Sequence, residues 1–363
     1  MSSNKGQGLV AMDKQIDYDY KKDEKRRYFL IVIGMLCLAV IFLFDISMGQ
    51  ELMPLSMILQ AIFQRDSLDM TTQVIINEIR LPRSCMAVLA GAALGFSGGI
   101  MQTILNNKLA SPYTLGLSSA AGLGASVSIV TGLSSILNIG IYLVPFMSFV
   151  FTFLACILIF MFGRRFSSRP DTMVLGGIGL SFLFQALQAL LQYSATPEQS
   201  QNIVFWLLGS LSRSDWTSVT ITLCVLLAGI PVMISSAWEM TALKLGEDNA
   251  MSLGIDVKKL RYKSLLVVSV ITGVAISFIG TIGFIGLVGP HMARLVVGED
   301  QRYYLPASAL FGAIVLSGAS LISKIIIPGT VFPIGIITSL FGAPFFFAFI
   351  FSKKNSLEGG SND

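Results

Sequence analysis

Two arginines stand immediately before a long uncharged segment, at a position suited to recognising an acidic partner. Arg80 and Arg83 precede the run from Ser84 to Asn107, which contains no charged residue. A guanidinium can hold a carboxylate with two parallel hydrogen bonds, so this pair could bind acidic side chains of another protein. The same side chains could instead extend to lipid headgroups at the end of a membrane helix. Both interpretations place a membrane boundary at the arginines.

The other reactive residue types offer little for catalysis or metal binding. His291 is the only histidine, which excludes an HExxH zinc protease, and we expect it to have a structural or interface role. No CxxC spacing occurs among the cysteines, which we interpret as packing residues: Cys37, Cys85, Cys156 and Cys224. The sequence also lacks a GxxxxGK[ST] phosphate loop, so nucleotide would have to be hydrolysed by another subunit. We therefore expect a chain that is not an enzyme and binds no metal or other cofactor itself.

Composition identifies the environment of the chain. Of its 363 residues 53% are hydrophobic and only 13% are charged, whereas charged residues make up about a quarter of a soluble domain. The chain is therefore an integral membrane protein. Its net charge of +4 does not indicate nucleic acid, because the basic residues lie in short segments between apolar runs.

The apolar runs predict about ten membrane crossings in one all-α domain. A helix needs about 20 apolar residues to cross the hydrocarbon core. The long runs are 28–44, 84–107, 109–163 (two spans), 172–197, 216–238, 264–293, 303–323 and 325–352. We expect a polar N-terminal tail at 1–27, a single transmembrane domain at 28–352 and a C-terminal tail at 353–363. The first span is interpreted as uncleaved.

The positive charges decide between nine and ten crossings. Cytoplasmic loops carry an excess of Lys and Arg. If the run 264–293 crosses twice, most of the 25 Lys and Arg residues lie inside, with both termini cytoplasmic. The few basic residues left outside are Arg65, Arg80, Arg83, Arg213 and Lys324. Glycines in 264–293 predict a broken or short second helix there, which is tolerated only where it is buried or lines a cavity.

Five ordered motifs resemble the iron-chelate and cobalamin permease family of bacterial ABC importers. The first combines RLPR, GAALGFSGGIMQ and NNKLASPYTLGLSSAAGLGA, and the others are FWLLGSLSRSDW, LKLGEDNAMSLGIDV, GFIGLVGPHMARLVVGED and FPIGIITSLFGAPFFF. The resemblance extends from about Arg80 to Phe347. It implies an all-α type II ABC importer permease fold of ten helices in the bacterial cytoplasmic membrane. It also implies several partners: an identical or related second permease subunit, two cytoplasmic ATPase subunits that use ATP and Mg, and an extracytoplasmic substrate-binding protein.

The resemblance also assigns roles to particular residues. It implies that Arg80, Arg83 and Lys324 face outward and take glutamates of the binding protein. The family usually has arginine in place of Lys324 and aspartate in place of Ser320, so this contact is expected to be less directional. The segment 241–257 is similar to the family's coupling loop to the ATPase, whose expected contact residues are Leu245, Gly246, Glu247, Asp248, Ala250, Leu253 and Gly254. Acidic residues at 247 and 248 favour a helix start, and Gly254 favours a helix stop.

Two further positions follow from the same resemblance. Asn107 and Leu109 match the cytoplasmic gate of the transport path, with Lys108 in place of the family's proline, which predicts a more flexible loop. Pro290, His291 and Arg294 match a motif at the next cytoplasmic turn.

These features favour a permease that imports a metal chelate, with a ferric siderophore as the leading cargo and haem or cobalamin as alternatives. A secondary transporter would need ionisable groups near the bilayer midplane, and the spans can be drawn without them. Backbone carbonyls could still bind sodium, so this alternative stays open.

Overall fold

The computed structural model describes residues 3–49, 51–63, 69–132, 140–165, 170–326 and 332–358. Within these ranges the regular elements are all helical. We number them in chain order as α1 Ser3–Ser47, α2 Leu55–Phe63, α3 Met70–Ile104, α4 Leu117–Thr131, α5 Leu143–Arg165, α6 Pro170–Ser194, α7 Pro197–Leu207, α8 Trp216–Ile234, α9 Ala237–Leu243, α10 Glu247–Ser252, α11 Val257–Ile279, α12 Ile285–Val297, α13 Gln301–Ile325 and α14 Ile334–Glu358.

Seven of these helices are long and apolar enough to span a membrane: α1, α3, α5, α6, α8, α11 and α13. Three shorter apolar helices, α4, α12 and the segment Ile334–Phe345 of α14, complete the predicted set of ten. The all-α polytopic fold is thereby confirmed.

The run 264–293 is divided into two helices, as predicted. Helix α11 ends at Ile279 and α12 begins at Ile285, with non-helical backbone between them. Gly280 adopts φ +77°, a conformation that glycine reaches at little steric cost, whereas Phe284 adopts φ +67°, which is unusual for a bulky residue. The short α12 is the predicted broken second helix.

The first helix is longer than the apolar run that predicted it. A span beginning at residue 28 was expected after a polar tail, but α1 begins at Ser3 and continues without interruption to Ser47. No proline occurs between these residues, so no residue type blocks the helix from extending into the polar sequence.

Helix α3 lies at the centre of the bundle and packs closely on α13. Small residues form the contact: a Cβ at Gly91 would lie 2.7 Å from Ala313 Cα, and one at Gly95 would lie 2.9 Å from Gly312 Cα. Only glycine permits such an approach of two backbones. Gly91 and Gly95 have the GxxxG spacing that allows membrane helices to pack closely.

The bundle has two faces that carry the candidate functional residues. We call one the arginine face, where α1 ends at Ser47 and the side chains of Arg80, Arg83 and Lys324 lie. We call the other the loop face, where α3 ends at Ile104 and helices α9 and α10 lie.

Candidate functional site

Arg80 on the arginine face makes its hydrogen bonds within the protein. Its guanidinium is 8% exposed and donates hydrogen bonds to the carbonyls of Ile46 (3.0 Å), Ser47 (2.8 Å) and Glu51 (2.8 Å). The last carbonyls of a helix lack partners within the helix, and the negative end of its dipole attracts a cation. Arg80 therefore caps the end of α1, and the predicted docking role stays a prediction for this residue.

Arg83, one helical turn later, is less fully satisfied. Its Nη2 donates to the carbonyl of Ser212 (3.1 Å), while its buried Nε lacks a hydrogen-bond partner within the described residues. A small crevice beside it is lined by Ser320, Ser323 and Lys324. Arg83 thus has unused donor capacity at a concave part of the arginine face.

Lys324 forms an ion pair that the sequence did not reveal. Its Nζ lies 2.9 Å from Asp45 Oδ1 and donates to the Asp45 carbonyl at 2.7 Å. Ser84 Oγ donates to the other carboxylate oxygen of Asp45, which is 1% exposed. The resemblance places an aspartate at position 320, where this chain has serine. Here the carboxylate comes from Asp45 of α1 instead.

The coupling loop 241–257 on the loop face is built as the sequence predicts. Helix α10 starts at Glu247, and Gly254 adopts φ +83° just after its end. Of the large apolar residues at 243–255, Leu243 and Ile255 are buried in the bundle. The others are more than half exposed: Leu245 (68%), Met251 (54%) and Leu253 (55%). These three side chains, which we call the apolar knob, form a protruding surface suited to a groove on a partner.

Residues 105–110, which we call the gate loop, are held by a side chain of the loop itself. Asn107 Oδ1 accepts a hydrogen bond from the Leu109 amide (2.9 Å), and the Asn107 amide donates to the Gln102 carbonyl (3.1 Å). Leu109 is 49% exposed at the tip. Although Lys108 replaces a proline, which predicted a flexible loop, the Asn107 side chain fixes the turn.

Arg294 of α12 joins three helices at the loop face. Its guanidinium donates to Gln102 Oε1 and to Tyr304 Oη, both at 3.1 Å, and pairs with Glu299 at 2.9 Å. The neighbouring Pro290 is buried within α12. His291 packs edge-on against Phe345 of α14, with ring centroids 5.8 Å apart, which fits the predicted structural role. Within the described ranges, His, Cys, Asp and Glu side chains form no group of three or more that could hold a metal.

Arg261 of α11 is a site residue that sequence reasoning missed. It is 3% exposed, its Nε donates to the carbonyl of Ile104 (3.0 Å), and its Nη2 pairs with Glu247. The sequence showed only one more positive charge in a basic loop. Burial of that charge could not be foreseen, because it depends on how α3 and α11 pack.

Positive charges crowd the space between the coupling loop and the gate loop. Burial lowers the pKa of Lys244 below its usual 10.5, with contributions from the charges of Arg294 and Lys108 and an opposing effect of Glu299. The charge on Lys244 therefore costs stability in this arrangement.

A cavity of about 610 Å³ lies beside the break between α11 and α12. Its lining includes the hydroxyl residues Ser111, Thr114, Thr281 and Ser339 together with Phe284, and it contains no charged side chain among the described residues. The non-helical backbone at 280–284 lines this cavity. A break in this run was expected only where it is buried or lines a cavity.

Comparisons with known proteins agree with this architecture. Residues 37–352 match the model of the FecCD transport family. A cobalamin import system permease protein of Halobacterium salinarum is 38% identical over 76% of this chain and 73% of its own length. An Fe(3+)-citrate import system permease protein of Bacillus subtilis is 33% identical over 90% of this chain and 95% of its own length.

A solved structure shares the fold. It represents an inward-facing conformation of a "metal-chelate type ABC transporter", with a TM-score of 0.78 and 28% identity over 89% of this chain and 99% of that one. With the family model covering residues 37–352, well over half of the sequence, this chain belongs to the FecCD transport family.

Proposed function

We propose that this chain is the permease subunit of an ATP-driven importer that carries a metal chelate, with a ferric siderophore as cargo. The observation that carries the proposal is the apolar knob on the loop face. Met251 is exposed on the short helix α10, and Leu245 and Leu253 are exposed just before and just after it, in a chain that belongs to the FecCD family. A small apolar projection at the end of a membrane bundle suits a groove on a separate subunit that changes shape.

The proposed orientation places the loop face in the cytoplasm and the arginine face outside. Two ATPase subunits then contact the coupling loops of this chain and of a second, identical or related, permease. A binding protein delivers the chelate to the arginine face. Arg83 is the docking cation best supported by the geometry, because it makes one internal hydrogen bond, whereas Arg80 makes three and Lys324 is paired with Asp45.

The cavity supports a chelate as cargo. Its hydroxyl groups and its lack of charged side chains suit a metal that is already enclosed by an organic ligand, whereas a bare ion needs charged or multiple oxygen ligands from the protein. Relatives named for cobalamin and for ferric citrate match this chain over most of its length, so family membership alone does not select one chelate. The lining is mainly apolar and carries a few hydroxyl groups, which suits an organic chelate but does not by itself separate a ferric siderophore from haem.

The test is uptake by the complete complex in proteoliposomes loaded with ATP and Mg. Labelled ferric siderophores, haem and cobalamin are offered together with the binding protein, and ATPase activity is measured in parallel. We expect uptake of one ferric siderophore that requires ATP and is lost with a hydrolysis-deficient ATPase. Transport of haem or cobalamin instead would correct the cargo, and ion-driven uptake without the ATPase would replace the importer mechanism by secondary transport.

A further inference from the structure

We propose that Arg261 is a positioning residue that connects the coupling loop to the gate loop. This inference rests on the proposed function and identifies the side chain through which motion of the ATPase-binding loop reaches the transport path. Its basis is one buried guanidinium that contacts both elements, Glu247 at the start of α10 and Ile104 at the end of α3.

The contact with α3 is made at the root of the gate loop. Ile104 is the last residue of α3, and its carbonyl has no partner within the helix, so the Arg261 Nε–H supplies one at 3.0 Å. The cation also lies at the negative end of the helix dipole. The gate loop follows directly, and Asn106 in it adopts φ +44°, a left-handed conformation that asparagine tolerates in turns. The position of this turn therefore depends on how the end of α3 is held.

The contact with the coupling loop is made at the first residue of α10. Helix α10 buries only Ala250, and glycines at both ends, Gly246 and Gly254, adopt positive φ values. A six-residue helix with so little packing can shift as a unit, and its ion pair to Arg261 is then a principal bond to the bundle. Because Glu247 is 45% exposed and Arg261 only 3% exposed, the mobile partner is the carboxylate and the fixed one is the guanidinium.

A second, neutral connection ends at the same turn of α3. The backbone N–H of Gln301 donates to Thr241 Oγ1 of α9 (3.2 Å), and Thr103 Oγ1 donates to the side-chain oxygen Oε1 of Gln301 (3.1 Å). Both connections thus run from the coupling region to residues 103 and 104. The last turn of α3 is the point at which movement of the coupling loop is received, and Arg261 provides the charged connection to it.

The first experiment measures uptake per ATP hydrolysed by the complete complex. Arg261→Gln removes both contacts, and Glu247→Gln weakens only the contact with α10. We expect Arg261→Gln to lower uptake per ATP at least about fivefold, within the usual range for coupling between two sites, while ATP hydrolysis continues. Glu247→Gln should lower it less, and Arg261→Lys should give an intermediate value because one donor replaces a fork.

Two matched controls separate coupling from a general loss of charge. Lys258→Gln removes an exposed cation from the first turn of α11, and Glu239→Gln removes a carboxylate from α9. Among the described residues, neither side chain forms a hydrogen bond or ion pair with the end of α3, so both variants should keep the wild-type ratio of uptake to hydrolysis. An unchanged ratio in Arg261→Gln would overturn the inference.

The second experiment does not depend on transport. Amide hydrogen exchange is measured on the full chain in lipid nanodiscs without partners. Arg261→Gln should increase exchange at residues 105–110, whereas Lys258→Gln should leave it unchanged. Equal protection in wild type and Arg261→Gln would refute the connection. This result is independent of the proposed function, which is refuted separately if the proteoliposomes show no ATP-dependent uptake. If Arg261→Gln fails to fold, the same comparison is made with Glu247→Gln, where faster exchange in the gate loop supports the connection and unchanged exchange refutes it.

Discussion

At the scale of single residues, Arg80 and Arg83 differ in their hydrogen bonding, although the sequence suggests the same docking role for both. Arg80 makes three charge-assisted hydrogen bonds inside the protein, and Arg83 makes one to Ser212. Arg80→Gln should therefore destabilise the chain by about 2–3 kcal/mol, because charged hydrogen bonds contribute roughly 1.5–3 kcal/mol each and water replaces some of them. Arg83→Gln should leave thermal stability nearly unchanged and weaken docking of the binding protein.

The measurements that check this are thermal unfolding in detergent and surface-based binding of the binding protein to the reconstituted complex. Arg213→Gln, which removes an exposed cation adjacent to Ser212, is the control. Equal weakening of docking by Arg213→Gln and Arg83→Gln would show that net charge, not the position of Arg83, attracts the partner.

The buried pair of Asp45 and Lys324 predicts a distinct pattern of stability. Removing one member of a buried ion pair leaves an uncompensated charge and typically costs about 3–5 kcal/mol, whereas replacing both can be nearly neutral. We expect Asp45→Asn and Lys324→Met each to lower the unfolding temperature, and the double variant to recover much of the loss. Additive losses in the double variant would mean that the two side chains act independently.

Lys244 gives the loop face a pH dependence. Its folded pKa lies below 10.5, so the unfolded chain binds more protons between the two values and stability rises with pH across that window. At neutral pH the full cost of the charge is present. Lys244→Met should therefore raise the unfolding temperature by a few degrees at pH 7, with the gain shrinking towards pH 10. A gain that grows with pH would contradict the burial of this ammonium.

At the scale of elements, the apolar knob is the surface whose loss should matter only to a partner. Leu245 is 68% exposed, so Leu245→Ser should leave the fold intact and reduce co-purification of the ATPase subunits. Leu227→Ser is the control, because that leucine is 64% exposed on α8, away from the coupling loop. If both variants retain the ATPase equally, the coupling loop does not provide the contact.

The elements also show which information the sequence contains. Ten spans, the break after Ile279 and the start of α10 were predictable, because hydropathy, glycines and acidic N-terminal residues are local signals. The pairing of Asp45 with Lys324 was not predictable, since the two residues are 279 positions apart and meet only through packing of α1 on α13. The internal hydrogen bonds of Arg80 were not predictable for a related reason: their acceptors are backbone carbonyls of α1, which no sequence pattern marks.

At the scale of the whole molecule, close backbone contacts around α3 hold the bundle together. Gly95 faces Gly312 without space for a methyl group, whereas nothing lies within 4 Å of the Cβ position of Gly179 on α6. Gly95→Ala should separate α3 from α13 and lower the unfolding temperature markedly. Gly179→Ala should be neutral or slightly stabilising, since alanine favours a helix. Thermal unfolding of the two variants in the same detergent provides the comparison, and similar stability of both would show that the α3–α13 contact yields easily.

Helix α1 is more than twice as long as the membrane core is thick. Its 45 residues extend about 68 Å at 1.5 Å per residue, and a membrane core of about 30 Å covers less than half of that length. Arg80 and Lys324 fix one end of this rod, and Arg27 and Tyr28 contact Tyr303 of α13 further along it. A fluorophore or a fused rigid domain at the N-terminus would therefore turn with α13, so that tilting of the permease during a transport cycle could be followed from outside the bilayer by polarisation or distance measurements.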